Sequence, residues 1–354
     1  MKILFLVPYP IGEAPSQRFR FEQYFGMMRD QGIAFDVSPF LDNESWNVLY
    51  AKGKLAAKFF GILRGFFRRI KDVLLSRDYD YVFIHREAAP LGPPVFEWLI
   101  AKLFSKKIIY DFDDAIWLPN VSESNQLFSK IKWYHKVSSI CRWSHLISCG
   151  NDFLKDYALQ FNNKVVVNPT IVNTENHYNK IKEHKRGKTI IGWTGTHSTI
   201  QYLNDLLPVL KKLEEENDVE IRIISNAPPN LPLKSLKYIP WKKSSEIEDL
   251  LSFDIGIMPL PDDEWAKGKC GFKLIQYLSL GIPAVSSPVG VNGKIIDDGV
   301  SGFLCNTHDE WLKALQDLIS DPEKRKRFGE KGRQRIISHF SAIANSPLFL
   351  RTFA

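Results

Sequence analysis

The sequence predicts an α/β protein made of two doubly wound parallel sheets, and three observations predict it. Short apolar runs alternate with helical patterns along nearly the whole chain, the order that yields parallel strands covered on both faces. The alternation runs twice, over 1–170 and 189–335, with a polar stretch lacking periodicity between them (NTENHYNKIKEHKRGK from Asn173). A length of 354 residues, 44% hydrophobic and 25% charged, is enough for two cores. The expected organisation is therefore an N-terminal domain (1–170), a linker (171–188), a C-terminal domain (189–335) and a segment (336–354) able to cross back to the first domain.

In chain order, Ile3–Val7 is the first strand, and Pro8–Ser16 is a loop of turn formers holding Gly12. The next helix takes an apolar face from Phe19, Tyr24, Phe25 and Met28, stops at Gly32, and is followed by the strand Ile33–Val37. GxGxxG is absent, which argues against a dinucleotide-binding dehydrogenase. Ser16, Gln17, Arg18 and Arg20 open that helix. They are either a solvated first turn or, with Arg18 foremost, contacts to an acceptor or phosphate.

Residues 51–75 (AKGKLAAKFFGILRGFFRRIKDVLL) place Leu55, Phe59, Ile62, Leu63, Phe66, Ile70 and Leu74 on one stripe, and no acidic residue occurs between Lys52 and Lys71. Two readings stand. A basic amphipathic helix with exposed phenylalanines binds an anionic membrane surface, each Lys or Arg contributing about 1 kcal/mol near the leaflet. Alternatively the stripe faces its own sheet as ordinary core.

The strand Tyr81–Ile84 delivers His85, Arg86 and Glu87 to its carboxyl end, and Lys107–Tyr110 delivers Asp111, Phe112, Asp113 and Asp114 to the same end of its own strand. Clustered carboxylates there can orient hydroxyl groups, so His85, Asp113 and Asp114 are candidate catalytic residues. Trp117 is a candidate for stacking on the flat face of a ligand, against the plainer reading of a buried tryptophan. His145–Cys149 and Val165–Val167 complete the first set of strands.

In the second half, the strand Thr189–Trp193 leads into TGTHST, whose Thr194, Gly195, Thr196 and His197 offer backbone and side-chain donors. Strands follow at Val219–Ile224, Tyr238–Ile239 and Phe253–Met258. A turn at Pro261–Asp263 leads to a helix from about Gly271 that Gly281 and Pro283 end, then to strands at Ala284–Ser286 and Gly302–Leu304. Lys267, Lys269 and Lys273 gather around the start of that helix, where unpaired N–H groups and the dipole favour an anion. That is a phosphate site in outline, with Gly271 and Phe272 at the helix start, against the plainer reading of a solvated lysine cluster on a loop.

The formal charge of +7 and pI near 9.0 favour an anionic partner. No aromatic-interleaved basic stripe or recognition motif points to nucleic acid. Cys141, Cys149, Cys270 and Cys305 form no metal or disulfide spacing, as expected of reduced thiols in a cytoplasmic protein. The opening MKILFLVPYP reads as a strand and not as a signal peptide, and no charge-free run is long enough to span a bilayer.

The succession of strand, PLP turn, KGKCGFK, amphipathic helix, LGIP and SSPVGVN resembles the donor site of GT-B glycosyltransferases, in the retaining group called family four. The resemblance is close from Ile190 to Leu304 and patchier before. It implies two Rossmann-like domains facing each other across a cleft, a nucleotide-sugar co-substrate without further cofactor or metal, and retention of anomeric configuration. Its two helix glutamates align with Gly268 and Gln276, which leaves Gln276 to hold the ribose and moves the sugar contact elsewhere, to Asp262, Asp263 or Glu264. The diphosphate Arg and Lys that many members carry align near Thr196 and Gln201, so Lys269 and Lys273 inherit that charge, and Gly12 matches the glycine loop approaching the phosphates. Asp111-Phe112-Asp113 has the form of the metal-binding DxD of GT-A enzymes, but the two-halved layout does not fit that class.

The function so implied is transfer of a sugar to an acceptor hydroxyl on a saccharide or lipid carrier, in cell-surface polysaccharide, lipopolysaccharide or glycolipid assembly. The site would be cytoplasmic, on the inner face of the membrane. The rival readings are a nucleotide-sugar epimerase of the same fold and a non-catalytic peripheral membrane protein.

Overall fold

In a computed structural model that describes residues 1–49, 53–119 and 132–354, the chain divides into two compact units. One is Met1–Thr170 with Asn345–Ala354, and the other is Ile171–Ala344. Residues 51 and 52 of the basic segment lie outside the described residues.

The N-terminal unit holds β1 (Lys2–Val7), β2 (Ala34–Pro39), β3 (Tyr81–His85), β4 (Lys107–Phe112), β5 (Leu146–Cys149) and β6 (Val165–Val167). They form one parallel sheet in the order β2-β1-β3-β4-β5-β6. The C-terminal unit holds β7 (Thr189–Gly195), β8 (Val219–Ser225), β9 (Leu236–Pro240), β10 (Ile255–Met258), β11 (Ala284–Ser286) and β12 (Gly302–Leu304). Its parallel order is β12-β11-β10-β7-β8-β9. In each sheet the order reverses beside the first strand, between β1 and β3 and between β7 and β10, and a crevice at the strands' carboxyl ends is the usual ligand position. The central strands are apolar on both faces and fully buried, as their continuous Ile, Val, Leu and Phe runs require.

Residues 171–188, expected as a linker, are stitched into the C-terminal unit. Tyr178 is buried, the Lys182 N–H donates to the Leu280 carbonyl at 2.7 Å, and the Lys182 ammonium lies 3.0 Å from Asp254. Arg333 and Arg325 reach the Tyr178 and Lys185 carbonyls at 3.0 and 2.8 Å. Polar composition concealed this because the contacts are made by backbone groups and charge pairs, not by an apolar stripe.

Most of the apolar stripe of the helix Leu55–Leu75 is turned away from the core, and only its Ile62 and Phe66 pack inward, against the cluster of Phe40, Leu41 and Ala89. Its inner face carries Gly61, Gly65, Arg69 and Asp72, whereas Leu55, Phe59, Leu63, Phe67, Ile70 and Leu74 are exposed. The glycines are points of close approach: a Cβ on Gly65 would lie 2.6 Å from the Phe40 ring and 2.8 Å from its carbonyl. Arg69 is wholly buried, bonding Asp72 at 2.7 Å, the Ala88 carbonyl at 2.6 Å and the Val7 carbonyl at 2.8 Å. Arg64 and Arg68 pair with Glu44 and Asp42. Among the described residues no helix is long and apolar enough to cross a membrane.

Candidate functional site

In the C-terminal unit, β10 leads through Pro259–Asp262 into a short helix, Glu264–Lys267, whose first turn Asp263 caps by accepting from the Ala266 N–H at 2.7 Å. Asp262 pairs with Lys267 at 3.0 Å. A cavity of about 270 Å³ beside this turn brings Asp262 together with Ser287 and Asn306. The main helix, Phe272–Ser279, starts at Gly271 in the left-handed region (φ 65°), with no side chain capping it. Only glycine fits: a Cβ there would meet Ile295 Cδ1 at 2.1 Å. The first N–H groups of this helix have no partner within it, as in any helix. Lys269 stands over the Trp265 ring at 5.2 Å and Lys273 over the Trp193 ring at 5.4 Å, so aromatic faces hold both ammonium groups beside the helix start.

Other expected donors are engaged internally. The Thr194 N–H donates to Tyr277 Oη at 3.0 Å, the Thr196 N–H to Thr199 Oγ1 at 3.3 Å, and the His197 N–H to Asn226 Oδ1 at 2.8 Å. The Thr194 N–H thus ties the end of β7 to the helix Phe272–Ser279, and the Thr196 and His197 N–H groups hold the turn after β7. Gly195 carries no side chain there because a Cβ would lie 2.4 Å from the Trp193 ring. The exposed hydroxyls of Thr196 and Ser198, 2.9 Å apart, are what this turn presents.

In the N-terminal unit, the ends of β3 and β4 bring His85 against Asp111, with Nδ1 2.8 Å from Oδ2. Asp111 also accepts from Arg20 Nε at 3.1 Å, from Arg20 Nη2, and from Ser148 Oγ at 2.7 Å. Burial alone would raise the Asp111 carboxyl, but the Arg20 guanidinium and the His85 bond outweigh it and hold it well below the carboxylate range. An ionised Asp111 only accepts, so the proton of a neutral His85 ring sits on Nδ1 and Nε2 carries the lone pair. Nε2 is buried without a hydrogen-bond partner, 4.0 Å from Asp113 Oδ1. Asp113 and Asp114 are both held by Arg86, at 2.9 and 2.6 Å, and Arg86 takes a positive φ of 61°. Arg20 pairs with Asp111, and Arg86 with both Asp113 and Asp114, so Asp111-Phe112-Asp113 belongs to an ion-pair cluster. Among the described residues no group of His, Cys, Asp and Glu could hold a metal ion.

Residues 176–335 match the family model of glycosyl transferases group 1. These residues belong to that family. The N-acetyl-alpha-D-glucosaminyl L-malate synthase of Bacillus anthracis is 21% identical over 151 residues, covering 40% of this chain and 39% of that protein. The MMP alpha-(1->4)-mannosyltransferase of Mycolicibacterium hassiacum is 26% identical over 212 residues, covering 54% and 48%. The chain thus spans less than half the length of either relative. A glycosyltransferase structure from Rickettsia africae superposes with a TM-score of 0.70 at 14% identity, covering 99% of this chain and 97% of that one. The Anabaena Alr3699/HepE structure in complex with UDP-glucose gives 0.67 at 13%, covering 99% of both. At such identity the likeness is one of fold, and that fold is GT-B over the whole chain.

Within the glycosyl transferases group 1 domain, Gln276 departs from its expected role. It is buried, and its Nε2 donates to Tyr178 Oη at 2.7 Å. Outside that domain, the Gly12 N–H expected to face phosphate donates to Glu22 Oε2 at 2.9 Å, and Gln17 holds the other Glu22 oxygen at 3.2 Å. Arg18 is buried against the Phe19 ring at 4.8 Å, and Arg20, not Arg18, joins the carboxylate cluster. One face of Trp117 is covered by Tyr157, stacked at 3.6 Å and 2°, which leaves at most the opposite face for a sugar. Sequence reasoning offered Arg20 only as an acceptor or phosphate contact, not as the partner of Asp111, and gave Arg86 and Glu22 no role. The RxR spacing before Phe21 and the His85-Arg86-Glu87 run were the available signals.

Proposed function

We propose that the protein is a glycosyltransferase that moves a sugar from a nucleotide donor to an acceptor hydroxyl. The observation that carries this reading is the Gly271 helix start with Lys269 and Lys273, inside a domain of the glycosyl transferases group 1 family. Negative charge grows on the leaving nucleoside diphosphate as the glycosidic bond breaks. Preorganised N–H groups and ammonium ions at a helix start stabilise that charge most where it is largest, without reorganising. Lys269, Lys273 and the N–H groups after Gly271 fill that role with no metal in the scheme. Solved neighbours hold UDP and UDP-glucose, which makes a uridine nucleotide the first donor to test.

The acceptor side belongs to the N-terminal unit. Asp113 and Asp114, fixed by Arg86, orient the acceptor hydroxyl, with His85 held behind them by Asp111. Retention of configuration follows from the family resemblance. The acceptor is a saccharide or a lipid-linked saccharide of cell-surface polysaccharide, lipopolysaccharide or glycolipid assembly, met at the inner face of the membrane. The helix Leu55–Leu75 brings the chain to that anionic surface, since its large apolar residues are turned outward.

Product analysis after incubation with UDP-sugars tests the reaction class. Release of UDP with a transferred or hydrolysed sugar is the expected outcome. Conversion to an epimeric nucleotide sugar without release of UDP would overturn it.

A further inference from the structure

Beside the exposed stripe of Leu55–Leu75 lies a second helical stretch, Val95–Trp98 continued by Leu99–Leu103. The two meet at Phe66 and Phe96, whose ring centroids are 6.0 Å apart, and just beyond their ends Arg77 lies over the Phe104 ring at 4.1 Å. Leu63 and Ile70 sit three residues before and four after Phe66, so the outward stripe runs along the flank that adjoins the second helix. That helix also turns apolar groups outward, with Val95, Trp98 and Leu103 exposed by 49%, 46% and 60%. Within these two helices the acidic residues are Asp72 and Glu97, and both are buried. Lys54, Lys71 and Lys102 are exposed at the margins.

We propose that the two helices form one bilayer-facing surface, which binds by inserting apolar side chains below anionic headgroups, with Trp98 at the headgroup level. This rests on the membrane-surface reading of Leu55–Leu75 and adds a second helix and a mode of binding. Insertion, not charge, carries the affinity, because two arginines of the helix Leu55–Leu75 are spent inside the protein. Arg69 is fully buried and Arg68 bonds the Pro39 and Phe40 carbonyls, both at 2.8 Å. A second copy of this chain fits less well, since like-signed Lys54, Lys71 and Lys102 would be brought together across the contact, whereas anionic lipid complements them. The inner sides of both helices grip one residue of the loop after His85. Ala88 donates its N–H to Glu97 at 2.8 Å and accepts from Arg69 at 2.6 Å, so the surface is tied to the acceptor-side loop.

The test is flotation of the full chain with phosphatidylglycerol/phosphatidylethanolamine vesicles, for the wild type, Phe59→Ser/Phe67→Ser and Trp98→Ser/Leu103→Ser. These positions are exposed, so the variants keep the wild-type melting temperature. Each pair should lower partitioning by about tenfold or more, and wild-type binding should survive about 0.5 M salt. If only the Phe59/Phe67 pair matters, the single-helix reading stands and the two-helix surface is overturned. Loss of binding in salt would overturn insertion while leaving a charge-based contact. Absence of any wild-type flotation would remove both readings. A dimer in analytical ultracentrifugation that either pair dissolves would assign the surface to self-association instead.

Discussion

Arg20 and Asp111, ninety-one positions apart in sequence, form a buried two-pronged ion pair under His85, and Ser148 and the Asn168 carbonyl complete its hydrogen bonds. Removing one partner of such a pair leaves an uncompensated charge in the core. Arg20→Met should therefore cost the N-terminal unit about 3–5 kcal/mol in urea unfolding. Arg20→Lys should recover only part of this, since an ammonium cannot match both carboxylate oxygens as the guanidinium does.

The same pair sets a pH dependence. Because the folded Asp111 carboxyl is held well below its unfolded value, its contribution is complete above the unfolded value of about 3.9 and is lost as pH falls toward the folded one. Acid titration of stability should thus show a loss beginning near that value in the wild type. In Asp111→Asn this component of the slope should vanish.

At the helix start, Lys273→Ala should weaken donor binding by about 2 kcal/mol, the loss of one charge-assisted bond to phosphate. Calorimetric titration with the nucleoside diphosphate checks this, and unchanged affinity would remove Lys273 from the site.

Gly271→Ala combines a left-handed backbone with a contact of 2.1 Å to Ile295, so it should destabilise the C-terminal unit by on the order of 3 kcal/mol. Nucleotide binding should fall with it, because the same strain moves the first N–H groups of the helix. A melting curve and a titration on one sample read both effects.

Gln276→Leu separates the structural role of this residue from the ribose role. Its amide bonds Tyr178, so the variant should lose about 1 kcal/mol of stability and keep its nucleotide affinity. A weakened donor with unchanged stability would restore the ribose contact.

The strands were legible because a parallel sheet buried on both faces leaves continuous apolar runs, and each expected strand from Ile3–Val7 to Gly302–Leu304 has a counterpart. Gly271 was legible for a local reason too, since a helix start leaves its mark on neighbouring residues. What escaped were bonds across long separations. Gln276 reaches Tyr178 over ninety-eight positions and Thr194 reaches Tyr277 over eighty-three, so no window of sequence reveals that these donors are engaged. Gly12 was misjudged at closer range, because its expected anion is replaced by the protein's own Glu22, whose burial raises its carboxyl despite bonds from Gln17 and Gly12. The helix Leu55–Leu75 was ambiguous in sequence because amphipathicity fixes that one face is apolar, not which way that face turns.

Sugar transfer by this chain requires that the Gly271 helix start bind the diphosphate of a nucleotide sugar. Calorimetric titration of the wild-type chain with UDP, GDP and ADP tests it most directly. At least one of them should bind saturably, near −8 kcal/mol for a dissociation constant of about 1 μM, and Lys273→Ala should weaken that binding. No measurable binding of any nucleoside diphosphate would contradict it.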